Sequence, residues 1–307
     1  MNKSLLGYHA LALLVVVIWG VTFVCTKVLI SAGLMPAQIF AIRFLLAYTG
    51  IWAVCLFRKG QAVKMLSDTF LDEAIFVFLG ITGGSFYFLT ENTALAHTQA
   101  CNVSFLVCSA PLFTALLTLA VKRFFHGRIA LGLEDIRIGW PLVTGTLLAL
   151  GGMATVVFDR QSLQFSPKGD FFAIGAALCW ALYSIFMAQM TSKYGAIFAT
   201  RKVFFYGLLT IIPFLLNGDP DTVRAALSQP HVIFNLLFLG LIASLACFII
   251  WNLVMSKIGN YTSTNYVYLN PFFTLITSMI FLGERMTLLS AAGSVAIVLG
   301  VILAGRR

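Results

Sequence analysis

Ten apolar stretches, each close to a bilayer in length, restrict the fold of this chain more than any other feature. They run over 9–31, 37–57, 74–96, 99–121, 140–158, 169–191, 198–216, 232–255, 261–282 and 287–305. A helix that crosses the hydrocarbon core needs about 20 mostly apolar residues at ~1.5 Å rise per residue. Inside that core no water satisfies backbone groups, so the peptide must satisfy itself. The linkers are short and leave no room for a soluble domain. Lys3 precedes an apolar run too long for a signal peptide, with no cleavage site, so the first stretch is expected to stay as an anchor. Composition agrees, with 60% hydrophobic and 10% charged residues, whereas a soluble domain carries roughly a quarter charged. The expected class is an all-α integral membrane protein with ten transmembrane helices.

The net charge of +9 raises the question of nucleic acid, and its placement answers it. With the N-terminus inside, cytoplasmic segments collect Lys3, Arg58, Lys59, Lys64, Lys122, Arg123, Arg128, Arg137, Lys193, Arg201, Lys202, Lys257, Arg306 and Arg307. The outer loops hold Arg160, Lys168, Arg224 and Arg285, a bias of 14 to 4. The positive-inside rule then puts both termini in the cytoplasm and uses up the basic excess without a nucleic-acid partner. The lipid bilayer is the partner this implies: a multi-pass protein of the cell membrane, the inner membrane in a bacterium. All six cysteines fall in apolar stretches with no Cys-x-x-Cys pair, so they read as small apolar fillers rather than metal or redox ligands. No cofactor and no metal is expected.

The chain also repeats itself. A shift of 160 lays Gly80 on Gly240, Asn92 on Asn252, Pro111 on Pro271, Phe113 on Phe273 and Thr114 on Thr274. A shift of 161 joins Trp19 to Trp180 and Ser31 to Ser192, and one of 158 joins Arg43 to Arg201 and Tyr48 to Tyr206. Gly145 and Gly152 match Gly293 and Gly300, and their spacing puts each pair on one helix face for close packing. The repeat unit therefore holds five helices, 1–158 and 169–307. Five is odd, so the second copy enters the membrane from the opposite side. Two inverted five-helix repeats are the architecture of carriers that expose a central site to each side in turn.

Residues that are expensive in lipid mark that site. Pro111 and Pro271 fall near the middle of the fourth and ninth stretches, where proline frees the carbonyls of Val107 and Val267. Freed carbonyls survive at that depth when they face protein or a wet cavity. Trp19 and Trp180 sit at mid-span, although tryptophan prefers the interfaces, and so are expected to face inward. Lys27, Arg43 and Glu91 lie roughly 5–10 Å from the midplane toward the outer face. Each costs about 2–3 kcal/mol or more unless paired or hydrated, so mutual pairing or a water-filled vestibule is expected. Lys27 and Arg201 are near enough to helix ends to snorkel. His97 reads as a solvated loop residue.

These residues resemble the EamA-type transporters of the drug/metabolite transporter superfamily. The resemblance rests on Ile18-Trp19-Gly20 with Phe23 and Lys27, on Arg43-Phe44-Leu45-Leu46 and on Ala110-Pro111-Leu112-Phe113. In the second half it rests on Trp180-Ala181-Leu182-Tyr183, Asn270-Pro271-Phe272-Phe273 and Leu282-Gly283-Glu284-Arg285, followed by Gly293 and Gly300. An acidic residue follows the ninth stretch as Glu284, whereas Lys122-Arg123-Phe124 holds the matching place after the fourth. The resemblance implies ten helices, a central cavity and export of amino acids or related metabolites.

The expected function is that of a secondary transporter, not an enzyme, moving a small organic solute by alternating access. Trp19, Trp180, Tyr183, Asn270 and the two prolines would frame the cavity, and Arg43 or Lys27 would meet a substrate carboxylate. Glu91 is the candidate for proton coupling. A primary pump is not expected, because no phosphate-binding G-x-x-x-x-G-K-[ST] loop occurs. Two rival readings remain. An integral-membrane enzyme acting on lipid or isoprenoid would want clustered Asp, His or Ser at one interface; a channel has no need of inverted halves.

Overall fold

The computed structural model describes residues 3–56, 64–125, 139–157, 166–216, 218–259, 263, 266–284 and 287–304. Arg58, Lys59, Arg128, Arg137, Arg160, Arg285, Arg306 and Arg307 lie outside the described residues, as do the side chains of Lys3, Lys122 and Arg123 and the stretch limits 57, 158, 261 and 305. The described chain is helical and contains no strand.

The first half of the chain contributes α1 (Lys3–Ser31), α2 (Pro36–Leu56), α3 (Phe70–Gly80), α4 (Phe86–His97), α5 (Ala100–Val107), α6 (Ala110–Phe125) and α7 (Trp140–Val157). The second contributes α8 (Pro167–Tyr194), α9 (Ala196–Leu215), α10 (Pro220–Leu227), α11 (Pro230–Leu237), α12 (Cys247–Ile258), α13 (Asn270–Phe281) and α14 (Leu288–Ala304). By length and composition, seven segments suffice to cross a membrane: Leu6–Ser31, Pro36–Leu56, Phe70–His97, Ala100–Thr118, Pro167–Tyr194, Ala196–Leu215 and Pro230–Ile258. Val143–Gly152, Asn270–Phe281 and Ala291–Gly300 are shorter apolar helices. Large apolar side chains such as Leu147, Leu209, Phe234 and Ile280 remain exposed, an outer surface suited to lipid rather than water.

Local chemistry sets the ends. Thr69 caps α3 by accepting from the Asp72 amide, and Asp72 and Glu73 place negative charge in its first turn. Ser166 caps α8 with Pro167 beside it. Gly33 and Gly195, at φ 96° and 84°, turn the chain between α1 and α2 and between α8 and α9, a backbone state that glycine adopts without steric cost.

Two spans are interrupted by π-helical turns, Ile81–Ser85 between α3 and α4 and Phe238–Ala246 between α11 and α12. The 160-residue shift that carries Gly80 onto Gly240 also carries the first turn inside the second. The contacts they make are exchanged between halves. A Cβ on Gly80 would lie 2.4 Å from Tyr206 Cβ on α9, and one on Gly240 would lie 2.8 Å from Leu46 Cβ on α2. The four matched glycines near the chain's midpoint and end also meet. α7 and α14 pack chiefly on each other, with room at Gly152 for Gly293 O (2.5 Å from a Cβ) and at Gly300 for Gly145 O (2.6 Å).

The prolines do not kink continuous helices, as their mid-span positions led one to expect. Cys108 and Ser109 form a turn and Pro111 is the second residue of α6; Pro271 is likewise second in α13. A helix start needs no donor at that place, so proline fits without breaking a hydrogen bond.

Candidate functional site

One cavity lies between the two halves of the chain. Its wall combines Trp19, Thr22 and Phe23 of α1, Arg43 of α2, Tyr87, Phe88 and Glu91 of α4, and Val107 of α5 with Trp180 of α8, Phe248 of α12, Val267 and Asn270. The volume open to the centres of water molecules is about 30 Å³, room for two or three waters at ~10–15 Å³ each. Organic solutes need the wall to part.

Aromatic rings hold this wall together. Trp19 meets Trp180 edge-on with centroids 5.5 Å apart, and Phe248 lies 5.7 Å from Trp19 and 6.2 Å from Trp180. Tyr87 closes the other side at 5.2 Å from Trp180. The tryptophans matched by the repeat thus converge on one point. Polar positions are fixed from the second π turn: Trp19 Nε1 donates to Ala243 O at 3.0 Å, and Arg43 Nε donates to Ser244 Oγ at 2.5 Å. A π turn carries one extra residue per turn and rotates its neighbours out of helical register, which brings a carbonyl and a hydroxyl to these donors. The Arg43 guanidinium lies 4.5 Å from the Phe88 ring centroid, a cation–π contact worth ~2 kcal/mol when desolvated. Glu91 accepts from Tyr87 OH at 2.9 Å.

Of the nine residues singled out from the sequence, Trp19, Arg43, Glu91, Trp180 and Asn270 reach this wall. Tyr183 does not. It stands behind Trp180 at 5.2 Å, donating to Asn252 Oδ1, and its ring covers Gly83, where a Cβ would come within 2.0 Å. Pro111 and Pro271 act through their neighbours, since Val107 and Val267 line the cavity and the Val267 carbonyl receives the Cys108 thiol at 3.8 Å. Lys27 corrects the expectation of mutual pairing with Arg43 and Glu91. Its ammonium lies 3.4 Å from Glu284 and donates to Thr98 O at 2.5 Å, because a long side chain near a helix end reaches the nearest acceptors there. No direct ion pair joins Arg43 to Glu91 among the described residues. Tyr87, Phe88 and Phe248 were missed; Tyr87, four residues before Glu91, was the one recoverable from helical spacing.

A family model for the EamA-like transporter family matches residues 6–158 and 167–306. This chain belongs to the EamA-like transporter family. It is 26% identical over 299 residues to an uncharacterized transporter of Archaeoglobus fulgidus, covering 96% of both chains. Over 301 residues it is 26% identical to a probable amino-acid metabolite efflux pump of Escherichia coli, covering 95% of this chain and 93% of that one. A solved crystal structure shares the fold with a TM-score of 0.63 at 16% identity, over 97% and 96% of the two chains. As an EamA-like transporter the protein is a multi-pass membrane protein that transports rather than an enzyme.

In this EamA-like chain polar contacts also join the two halves outside the cavity wall. Glu284 pairs with Lys27 and accepts from the amides of Ala100 (2.8 Å) and Cys101 (3.3 Å), capping α5. In a second group, Asp72 takes Lys193 (2.6 Å) and Tyr194 (2.8 Å), while Glu73 takes Lys202 and Tyr206. Arg201 donates there to Lys64 O, and its guanidinium lies 4.5 Å from the Trp52 ring. It is buried among protein groups, not snorkelling to solvent. Beyond the helices, a hydrogen bond from Lys64 holds the Asp68 carboxyl below its usual range. Among the described residues no group of three or more His, Cys, Asp or Glu could hold a metal ion.

Proposed function

We propose that this protein exports amino acids or closely related metabolites by alternating access through the Trp19–Trp180 cavity. One observation carries the reading: a buried guanidinium, Arg43, and a buried carboxylate, Glu91, face the same aromatic cavity where the halves meet. Charges of both signs in a desolvated wall suit a zwitterion, with Arg43 taking the carboxylate. The name of the Escherichia coli relative supports the substrate class. The exchanged π-turn contacts and the meeting of Trp19 with Trp180 support ten helices in two inverted five-helix halves, 1–158 and 169–307. Alternating access then opens the cavity to either side by parting one or other group of polar contacts between the halves. Glu91 is the cavity carboxylate at which proton coupling would act. The basic bias of 14 to 4 supports cytoplasmic termini.

Counterflow in proteoliposomes tests this. Amino acids loaded inside should accelerate uptake of labelled amino acid from outside. Flux indifferent to the trans solute would mean a channel, and no flux for any amino acid would remove the substrate class.

A further inference from the structure

Asn270 is the first residue of α13, and its backbone is set against α1 beside Trp19. A Cβ on Gly20 would fall 3.0 Å from Asn270 O and 2.6 Å from Phe273 Cβ. Thr274 Oγ1 ties the two helices by donating to Gly20 O at 2.8 Å and to Asn270 O at 3.1 Å. With the main chain held this way, Asn270 is part of the cavity wall.

Asn270 is 93% buried (7% exposed), and its buried side-chain Oδ1 has no hydrogen-bond partner among the described residues. The other polar side chains of the wall are engaged differently. Trp19 Nε1 donates to Ala243 O, Thr22 Oγ1 to Trp19 O, Arg43 Nε to Ser244 Oγ and Tyr87 OH to Glu91. A buried acceptor left without a donor is destabilising, and such groups in native proteins call for an explanation. Here the missing partner is a donor that arrives in the cavity.

We propose that Asn270 Oδ1 accepts an N–H from the amino group of the transported solute, and that Asn270 therefore sets the preference for amino acids over the same acids lacking the amine. The inference rests on the reading of the cavity as an amino-acid site. Arg43 holds the carboxylate, and Glu91, occupied by Tyr87, adds negative potential rather than the directed contact. A site that hydrogen-bonds a substrate N–H rejects the analogue without it, since its own polar group is then left unpaired.

The test compares Asn270→Leu and Asn270→Asp with the unmodified protein in proteoliposomes. The amino acid best carried in counterflow is the labelled probe, competed by itself and by its des-amino acid. Asn270→Leu should melt no lower than the parent, because it removes an unsatisfied buried polar group. It should weaken competition by the amino acid about tenfold or more while shifting that by the des-amino acid less than about twofold. Asn270→Asp keeps an acceptor in the same shape and should retain the preference for the amine. Equal loss toward both competitors, or an unchanged amino-acid affinity in Asn270→Leu, overturns the proposal. Should Asn270→Leu fold poorly, loss of the amine preference in Asn270→Asp overturns it and retention supports it. An unmodified protein that carries no amino acid defeats the underlying reading and this inference together; one that does, with an indifferent Asn270, defeats this inference alone.

Discussion

Arg43 and Arg201 occupy matched places in the two halves of the chain, and each is buried with an aromatic ring 4.5 Å from its guanidinium. Their partners differ. Arg43 is oriented by a serine of the opposite π turn and faces the cavity; Arg201 donates to Lys64 O and is not part of the cavity wall. The same contrast runs through the wall. The first half supplies Thr22, Arg43, Tyr87 and Glu91, and the second supplies Trp180, Phe248, Val267 and a single amide, Asn270. The π turns overlap under the 160-residue shift but place their serines one position apart and use them differently: Ser85 bonds Thr210 at 2.7 Å, whereas Ser244 bonds Arg43. The charged side chains of the cavity wall, Arg43 and Glu91, thus both come from the first half of the chain.

Conservative changes at the two arginines should break the comparison most sharply. Arg43→Lys loses the planar, stacked fork and should cut transport about 100-fold, while Arg201→Lys should keep transport within about threefold and lower the melting temperature instead. Transport rates and melting curves on both purified variants decide; equal loss of transport would deny the division of labour. A smaller effect is expected from adding a methyl where helices touch. Gly80→Ala and Gly240→Ala should each lose about 1–3 kcal/mol in chemical or thermal unfolding. Only Gly240→Ala, whose Cβ would lie 3.0 Å from Arg43 O, should also raise KM. The finest probe is Ser244→Ala against Ser85→Ala. Each loses one hydrogen bond, worth about 1 kcal/mol, and a severalfold rise in KM should follow in Ser244→Ala alone. A matching rise in Ser85→Ala would show that KM merely reports general loosening.

Apolar run length made the seven long apolar segments legible, because lipid punishes polar backbone and leaves long uninterrupted stretches in the sequence. Trp19 and Trp180 were legible as a pair because a shift of 161 aligns them in the sequence, and the structure places them 5.5 Å apart. The π turns were not, since hydrogen-bond register leaves no compositional mark beyond a loose Thr82-Gly83-Gly84-Ser85 run. Lys27 was misjudged for a related reason: its partner Glu284 is remote in sequence, and spacing rules reach one helix only. The same holds for Asp72 with Lys193 and Glu73 with Lys202, separated by 121 and 129 residues.

Glu284 has a consequence for how the molecule is made. The α5 amides that it caps lie 184 and 183 residues earlier in the chain. At about 5–20 residues per second of synthesis, those donors wait roughly 10–40 s for their acceptor. Through that interval the first turn of α5 depends on water, lipid headgroups or the insertion machinery. Lys27 waits longer still for its counter-charge. The ribosome must therefore bring the ninth apolar stretch into the membrane before the first half can settle there, and a chain released ahead of Glu284 leaves α5 uncapped.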